Sequence, residues 1–259
     1  STLQFAPLSF DMSFQEIFST LCGGGELRLV SNEERLDPAA LLRLLERYQV
    51  QRALLPFVAL QRLAEASNTL GLLPNALQVV VSSGEQLRIT EYIRAFCRAM
   101  PGVLLENQYG PTETHQVTFH SLTGDPATFP ALPPIGQPLD GVEIQLLDAG
   151  MRPVPVGVTG EIYVGGECLA RGYHRAAQLT DERFVPHPWR ESATLYRTGD
   201  LRPVLDNGEI AWLGRADTQF KVRGSRIEPV EVQLAIMRQV QPQSALPGRA
   251  VVGRDRCAL

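Results

Sequence analysis

Up to about Pro111, short apolar runs alternate with stretches in which apolar residues return every three or four positions. Arg52 to Leu55, Leu77 to Ser82 and Val103 to Glu106 have the length and composition of buried strands. Between them, Phe57 to Ala66 and Ile89 to Met100 carry the helical period. Asp37-Pro38 supplies an N-cap and a first-turn proline, and Leu41, Leu42, Leu44, Leu45 and Tyr48 follow at helical spacing. This segment is therefore expected to lay one face on a sheet. Strand alternating with amphipathic helix predicts an α/β layer with loops gathered at the strand ends.

After Gly124 the pattern changes. Proline and glycine become frequent, and Val142 to Leu147, Glu161 to Val164 and Glu209 to Leu213 follow one another as short strand candidates without convincing helices. That predicts a small β-barrel or sandwich. Past Gly214-Arg215 a strand at Gln219 to Val222, a helix from about Pro229 to Arg238 and a strand at Arg249 to Val252 are expected, as the beginning of a further, unfinished lobe. The organisation read from pattern is an α/β subdomain over 1–124, a β-barrel-like subdomain over 125–215, and a hinge with the start of a carboxyl-terminal lobe over 216–259.

Composition narrows the function classes. A chain of 259 residues that is 44% hydrophobic and 20% charged can bury a large core. Lys and Arg number 24 against 28 Asp and Glu, so the basic excess that nucleic acid or an anionic membrane requires is lacking, and any bound phosphate must be held locally. Cys22, Cys97, Cys168 and Cys257 form no CxxC pair, which argues against a zinc site or a disulfide framework and makes a reducing cytoplasm the simplest setting. No apolar run reaches transmembrane length, and the first residues lack signal-peptide organisation. Opening directly on a strand-like stretch, the chain is expected to begin inside a domain.

Four turn motifs carry candidate chemistry. Asn107 to Thr114 (NQYGPTET) follows a predicted strand, so its donors and carboxylate crowd the strand's carboxyl end. Thr112 can donate to a phosphate oxygen and Glu113 can offer a hard oxygen to Mg²⁺, although a Gly-Pro-Thr-Glu run alone is more often a tight turn. Ser82 to Leu87 also leaves a strand, and Gly84 there allows backbone to approach a base or phosphate; taken alone, a plain strand-to-helix turn is the preferred reading. Tyr196 to Leu201 sets Asp200 beside a glycine on a turn, where it can accept two ribose hydroxyls or merely cap the turn. Gly214 to Glu228 alternates charged and apolar residues, as a solvated edge strand does.

The order and number of these pieces, with Phe10 to Ser13 (FDMS), Gly160 to Gly166 and Leu169 to Tyr173, resemble the amino-acid-activating adenylation domains of nonribosomal peptide synthetases. These belong to the adenylate-forming superfamily that also holds acyl-CoA ligases and firefly luciferase. The resemblance covers essentially the whole chain. It implies the large-lobe fold of that superfamily, an α/β sheet layer followed by a small β-barrel and the start of the small carboxyl-terminal lobe.

It also implies the activity. MgATP and an amino acid give aminoacyl-AMP and pyrophosphate, and the aminoacyl group then passes to the phosphopantetheine thiol of a peptidyl carrier protein. A condensation domain and an MbtH-like accessory protein come with the resemblance as further partners. Carried over residue by residue, Thr112 contacts the α-phosphate region, Glu113 the Mg²⁺, Asp200 the ribose hydroxyls and Arg215 ribose or phosphate, while Gly84, Glu85 and Tyr109 surround the adenine. Asp217 matches the hinge, and Lys221 a residue brought in for the thioester step.

Asp11 matches the carboxylate that pairs with the substrate's α-ammonium, a group costly to bury without that partner. The other pocket positions are Met12, Gln15, Leu54, Val81, Ser83, Gln108, Gln116 and Val117. The set is similar to that associated with proline, with Gln108 and Gln116 as departures that suit a hydrogen-bonding side chain such as glutamine's. The phosphate loop upstream of Phe10 and the lysine near the far carboxyl terminus are missing, so a longer natural protein is expected and the chain alone reads as an incomplete enzyme. Val230 also stands where the family has glycine. Two rivals share the motifs: an acyl- or aryl-acid CoA ligase, from which Asp11 discriminates, and a truncated non-catalytic nucleotide-binding or interaction module.

Overall fold

The computed structural model describes residues 1–211, the backbone of Gly214–Arg215, Phe220–Val222 and Ser225–Ile227, and the helical positions 229, 232 and 235. The first sheet is built from β1 (Thr2–Gln4), β2 (Leu27–Leu29), β3 (Arg52–Leu55), β4 (Val79–Ser82), β5 (Leu104–Tyr109), β6 (Thr118–Leu122) and β7 (Gln137–Pro138). Among the described residues it runs β2-β1-β3-β4-β5-β6-β7. The strands are parallel from β2 to β5 and antiparallel at β6 and β7. Ala53, Leu54, Leu55, Val80, Val81 and Leu105 are buried because helices cover this sheet, which is why these strands read as continuous apolar runs.

The connections carry α1 (Asp11–Leu21), α2 (Asn32–Leu36), α3 (Pro38–Arg47), α4 (Phe57–Leu70) and α5 (Glu91–Ala99). The side chain of Asp37 accepts from the backbone N–H groups of Ala39 and Ala40, and Pro38 opens the helix. Leu41, Leu42, Leu44 and Leu45 are all buried; each contributes about 2 kcal/mol by leaving water. In α5, Thr90 caps the Ile93 N–H, and Ile93, Phe96 and Cys97 form the buried face. Burial pushes the Cys97 thiol up to about 11, so it packs as a small apolar group.

The second sheet holds β8 (Val142–Leu147), β9 (Thr159–Gly166), β10 (Phe184–Pro186), β11 (Thr194–Pro203) and β12 (Gly214–Arg215), in the order β10-β11-β9-β8 with β12 on β11. All its pairings are antiparallel, and it curls as a half barrel, in keeping with the expected all-β layer. A small hairpin of β13 (Phe220–Val222) and β14 (Ser225–Ile227) follows. A helix α6 (Ala177–Arg183) precedes β10. None of the described helices is long and apolar enough to cross a membrane.

Several expectations need correction. Residues 11–21 form a helix that the pattern did not announce, because its buried residues are Ser13, Glu16 and Thr20 while Phe14, Phe18 and Leu21 stay exposed. The short α6 was likewise unannounced: it has no buried residue and hence no apolar period. Tyr196 to Leu201 is a strand and not a free turn: three residues, Thr198 to Asp200, stand opposite Ile162 alone, a bulge made possible by Gly199 at φ +77°. The expected strand from Glu209 reduces, within the described residues, to bridges from Ile210 to Gly136 and Val204. Positions 229, 232 and 235 are helical, but the rest of the expected helix and the strand at Arg249 to Val252 lie outside the described residues.

Candidate active site

The loop after β5 is the most constrained backbone near the carboxyl ends of the parallel strands. A Cβ on Gly110 would sit 1.7 Å from the His115 carbonyl oxygen, so only glycine lets the loop double back. Val117 N–H then closes it on the Tyr109 carbonyl at 2.9 Å. His115 adopts φ +56°, and its Nε2 lies 3.2 Å from the Asp11 carbonyl oxygen, tying the loop to the start of α1.

A cleft of about 590 Å³ opens between these elements. Asp11, Met12, Leu54, Ser83, Gly84, Tyr109, Thr112 and Asp200 line it, so eight of the residues singled out from sequence meet there. Asp11 is half-buried at the first position of α1. Asp200 is 4% exposed; its Oδ2 accepts from the Tyr109 hydroxyl at 2.5 Å, and the Arg202 guanidinium stands 3.8 Å from its Oδ1. Burial, and then the Asp200 charge, hold the Tyr109 phenol well above its ordinary range, so it stays a donor. Asp200 stands opposite Arg215 in the β11–β12 ladder, which brings the backbones of the two residues side by side.

Gly84 and Tyr109 also border a water-sized recess of about 20 Å³, together with Glu85 and Gln108. Gln15 Nε2 donates to Gln108 Oε1 at 3.0 Å, and Gln108 Nε2 donates to Glu106 Oε2 at 2.8 Å, so a chain of amides joins α1 to β5. Glu113 lies just outside the cleft lining, where its Oε1 accepts from the Tyr173 hydroxyl at 2.6 Å; burial and this bond push the phenol up.

Val81 is fully buried on β4 and stands opposite Leu54 of the cleft lining in the β3–β4 ladder, Val117 is buried in the core of the second layer, and the Gln116 amide donates to the Thr118 carbonyl. The spacing of the motif put Gln116 and Val117 near the site but could not say which face of the backbone each side chain takes. Lys221 lies in β13 opposite Arg226, and Asp217 falls outside the described residues.

Sequence reasoning gave no role to Glu16, Arg202, Tyr173 or His115. The one available signal was for Glu16: Ser13, Glu16 and Thr20 recur at helical spacing, a polar stripe that needs partners if it faces inward. Arg202 is fully buried beside Asp200 and Tyr109, its guanidinium 5.9 Å from the centre of the Tyr109 ring.

A nucleotide-sized cleft at the carboxyl ends of a parallel sheet, fed by a buried carboxylate and a glycine-dependent loop, is the ligand site of an α/β enzyme. Residues 1–174 match the AMP-binding enzyme family, and the chain belongs to that family. Among curated relatives, tyrocidine synthase 2 of Brevibacillus parabrevis is 38% identical over 236 residues, which is 91% of this chain and 6% of that protein. Gramicidin S synthase 2 of Brevibacillus brevis is 37% identical over 235 residues, which is 91% of this chain and 5% of that protein.

Among solved structures, PA1221, described as an NRPS protein containing adenylation and PCP domains, superposes with a TM-score of 0.81 at 29% identity, covering 92% of this chain and 48% of that one. IdnL1 superposes with a TM-score of 0.79 at 30% identity, covering 89% and 47%. The chain thus spans a small fraction of its curated relatives and about half of these solved chains. The family and fold expected from the motifs are borne out.

Proposed function

We propose that this chain is the substrate-binding part of an amino acid adenylation domain, which activates an amino acid with MgATP and delivers it to a carrier-protein thiol. The observation that carries the reading is that Asp11, Thr112 and Asp200 line one cleft. An α-amino acid needs an anion for its ammonium, an ATP needs acceptors for its ribose hydroxyls, and the reaction between them needs donors near the α-phosphate. Asp11 takes the first role, Asp200 the second and Thr112 the third. Tyr109 fits twice, with its hydroxyl fixing Asp200 and its ring bordering the cleft as a face for adenine, beside Gly84 and Glu85.

The donor set fits Mg²⁺ bound mainly through the substrate. Among the described residues no group of three or more His, Cys, Asp or Glu side chains can hold a metal, whereas a single carboxylate, Glu113, suits a cation that takes its other ligands from phosphates and water. Bound there, Mg²⁺ would supply charge neutralisation for the phosphates. Carboxylate attack on the α-phosphate then gives aminoacyl-AMP and pyrophosphate, and the chain's contribution is positioning. Arg215 supplies a permanent charge for ribose or phosphate, Asp217 serves as hinge, and Lys221 acts in thioester formation. The carrier's phosphopantetheine thiol is the acceptor; a condensation domain and an MbtH-like protein complete the partners. Gln15, Gln108 and Met12 set side-chain preference, toward proline or glutamine.

The test is amino-acid-dependent exchange of labelled pyrophosphate into ATP by the natural protein that carries this segment. Exchange with a single amino acid supports the reading; turnover only with acids lacking an α-amino group overturns it in favour of the acid ligase. Asp11→Ala is expected to raise the amino acid KM at least tenfold with little change for ATP, and Glu113→Ala to weaken the Mg²⁺-dependent step. Equal losses in both variants would contradict this division of roles.

A further inference from the structure

α1 packs opposite to its composition. The helix buries Ser13, Glu16 and Thr20 and leaves Phe14, Phe18 and Leu21 about half-exposed, so burial of apolar surface is not what seats it. The Ser13 hydroxyl donates to the Phe10 carbonyl and the Thr20 hydroxyl to the Glu16 carbonyl, both within the helix or its entry. Glu16 is the buried side chain that reaches across to β1. Its Oε1 accepts from the backbone N–H groups of Phe5 at 3.1 Å and Ala6 at 3.2 Å. Its Oε2 accepts from Ala6 N–H at 3.1 Å and Gln4 Nε2 at 3.3 Å. The carboxylate is fully buried, yet both oxygens are satisfied.

The residues it clamps are part of the site. Phe5, Ala6 and Pro7 on one side and Phe10, Asp11 and Met12 on the other form a continuous wall of the 590 Å³ cleft. A helix is rigid over five residues, about 7.5 Å of rise, so fixing Glu16 fixes Asp11. We infer that Glu16 is a positioning residue for amino acid recognition, its two oxygens setting the distance between α1 and the turn after β1 and so the place of the Asp11 carboxylate and of Met12. The inference rests on the adenylation reading of the cleft. What matters is the reach of the side chain. Glu16→Asp would retract the acceptors by one methylene, drawing α1 toward the sheet or breaking the amide bonds, and an ångström of misplacement at a site is costly. Glu16→Gln would keep the reach and still accept from Phe5 and Ala6.

The experiment measures KM for amino acid and for ATP, by pyrophosphate exchange in the natural protein, for wild type, Glu16→Asp and Glu16→Gln. The amino acid KM of Glu16→Asp is expected to rise about tenfold with the ATP KM within twofold, and Glu16→Gln to stay within about twofold of wild type in both. A Glu16→Asp variant like wild type, or one whose two KM values rise alike, overturns the proposal. So does failure of both variants to fold, which would make Glu16 a purely structural carboxylate. A wild-type protein that exchanges with no amino acid overturns the adenylation reading itself; a competent wild type with an indifferent Glu16→Asp overturns only the role of Glu16.

Discussion

Burial pushes the Glu16 carboxyl up to about 7 from its ordinary 4.5, against the opposing pull of the Phe5 and Ala6 amides, Gln4 and the Arg35 charge. The folded chain therefore holds this proton more tightly than the unfolded chain. Its stabilising contribution is complete below about pH 4.5 and is lost as pH rises through about 7. Glu16→Gln removes that titration. Relative to wild type, the variant is expected to gain on the order of 2 kcal/mol in unfolding free energy between pH 4.5 and pH 8. Urea unfolding of both proteins at the two pH values checks this, and a constant difference between them would contradict it. Asp200, also buried, accepts from the Tyr109 hydroxyl and faces the Arg202 guanidinium, so a neutral donor and one cation accompany it into the interior.

Elements differ in how openly the chain announces them. α3 is legible because Asp37-Pro38 states where it begins and four leucines state which face is buried. Asp37→Ala is expected to cost about 1 kcal/mol, lowering Tm by about 2–4 °C in a thermal melt. β3 lies at the expected residues, Arg52–Leu55, since a strand covered on both faces reads as an unbroken apolar run. α1 is the opposite case. Its inward face is polar and its outward face aromatic, so an apolar pattern cannot reveal it until the partners of Glu16 are known. In the site, the meeting of Asp11, Thr112 and Asp200 in one cleft follows motif order, whereas the placing of Val117 in the second core and of the Gln116 amide on Thr118 depends on loop closure, which local sequence does not encode.

At the scale of the molecule, the cleft is where two cores meet. The first core is filled by α3, α4 and α5 against the parallel strands, and the second by Val117, Ile135, Leu146, Ile162 and Val164 with Tyr109 among them. One short loop thus carries both a cleft residue and a core residue. Val117→Ala is expected to lower stability by about 2 kcal/mol and also to raise the ATP KM severalfold, because the cavity it leaves adjoins the packing of Tyr109. Leu42→Ala, in the first core, is the control: a comparable or larger loss of stability with both KM values near wild type. Denaturation midpoints and KM values for the two variants separate these effects, and a Val117 variant that loses stability alone would show the cores to be independent. Asp200 belongs to this scale too, since it reaches a cleft built by residues 5–112 from a strand of the other sheet.

The bulge that brings it there makes β11 a strand in which chain length, as much as composition, is under constraint. With Thr198 to Asp200 set against Ile162 alone, β11 carries two residues more than its partner spans. Deleting one residue between Arg197 and Leu201 would turn Leu201 to Pro203 over and drive the fully buried Arg202 to the opposite face. Deleting two would restore an even ladder and remove the point from which the carboxylate enters the cleft. Natural length variation therefore belongs at the turns around Asp148 to Met151 and Asp206 to Gly208, where an extra residue only lengthens a surface loop, and not in the five residues that count out the position of Asp200.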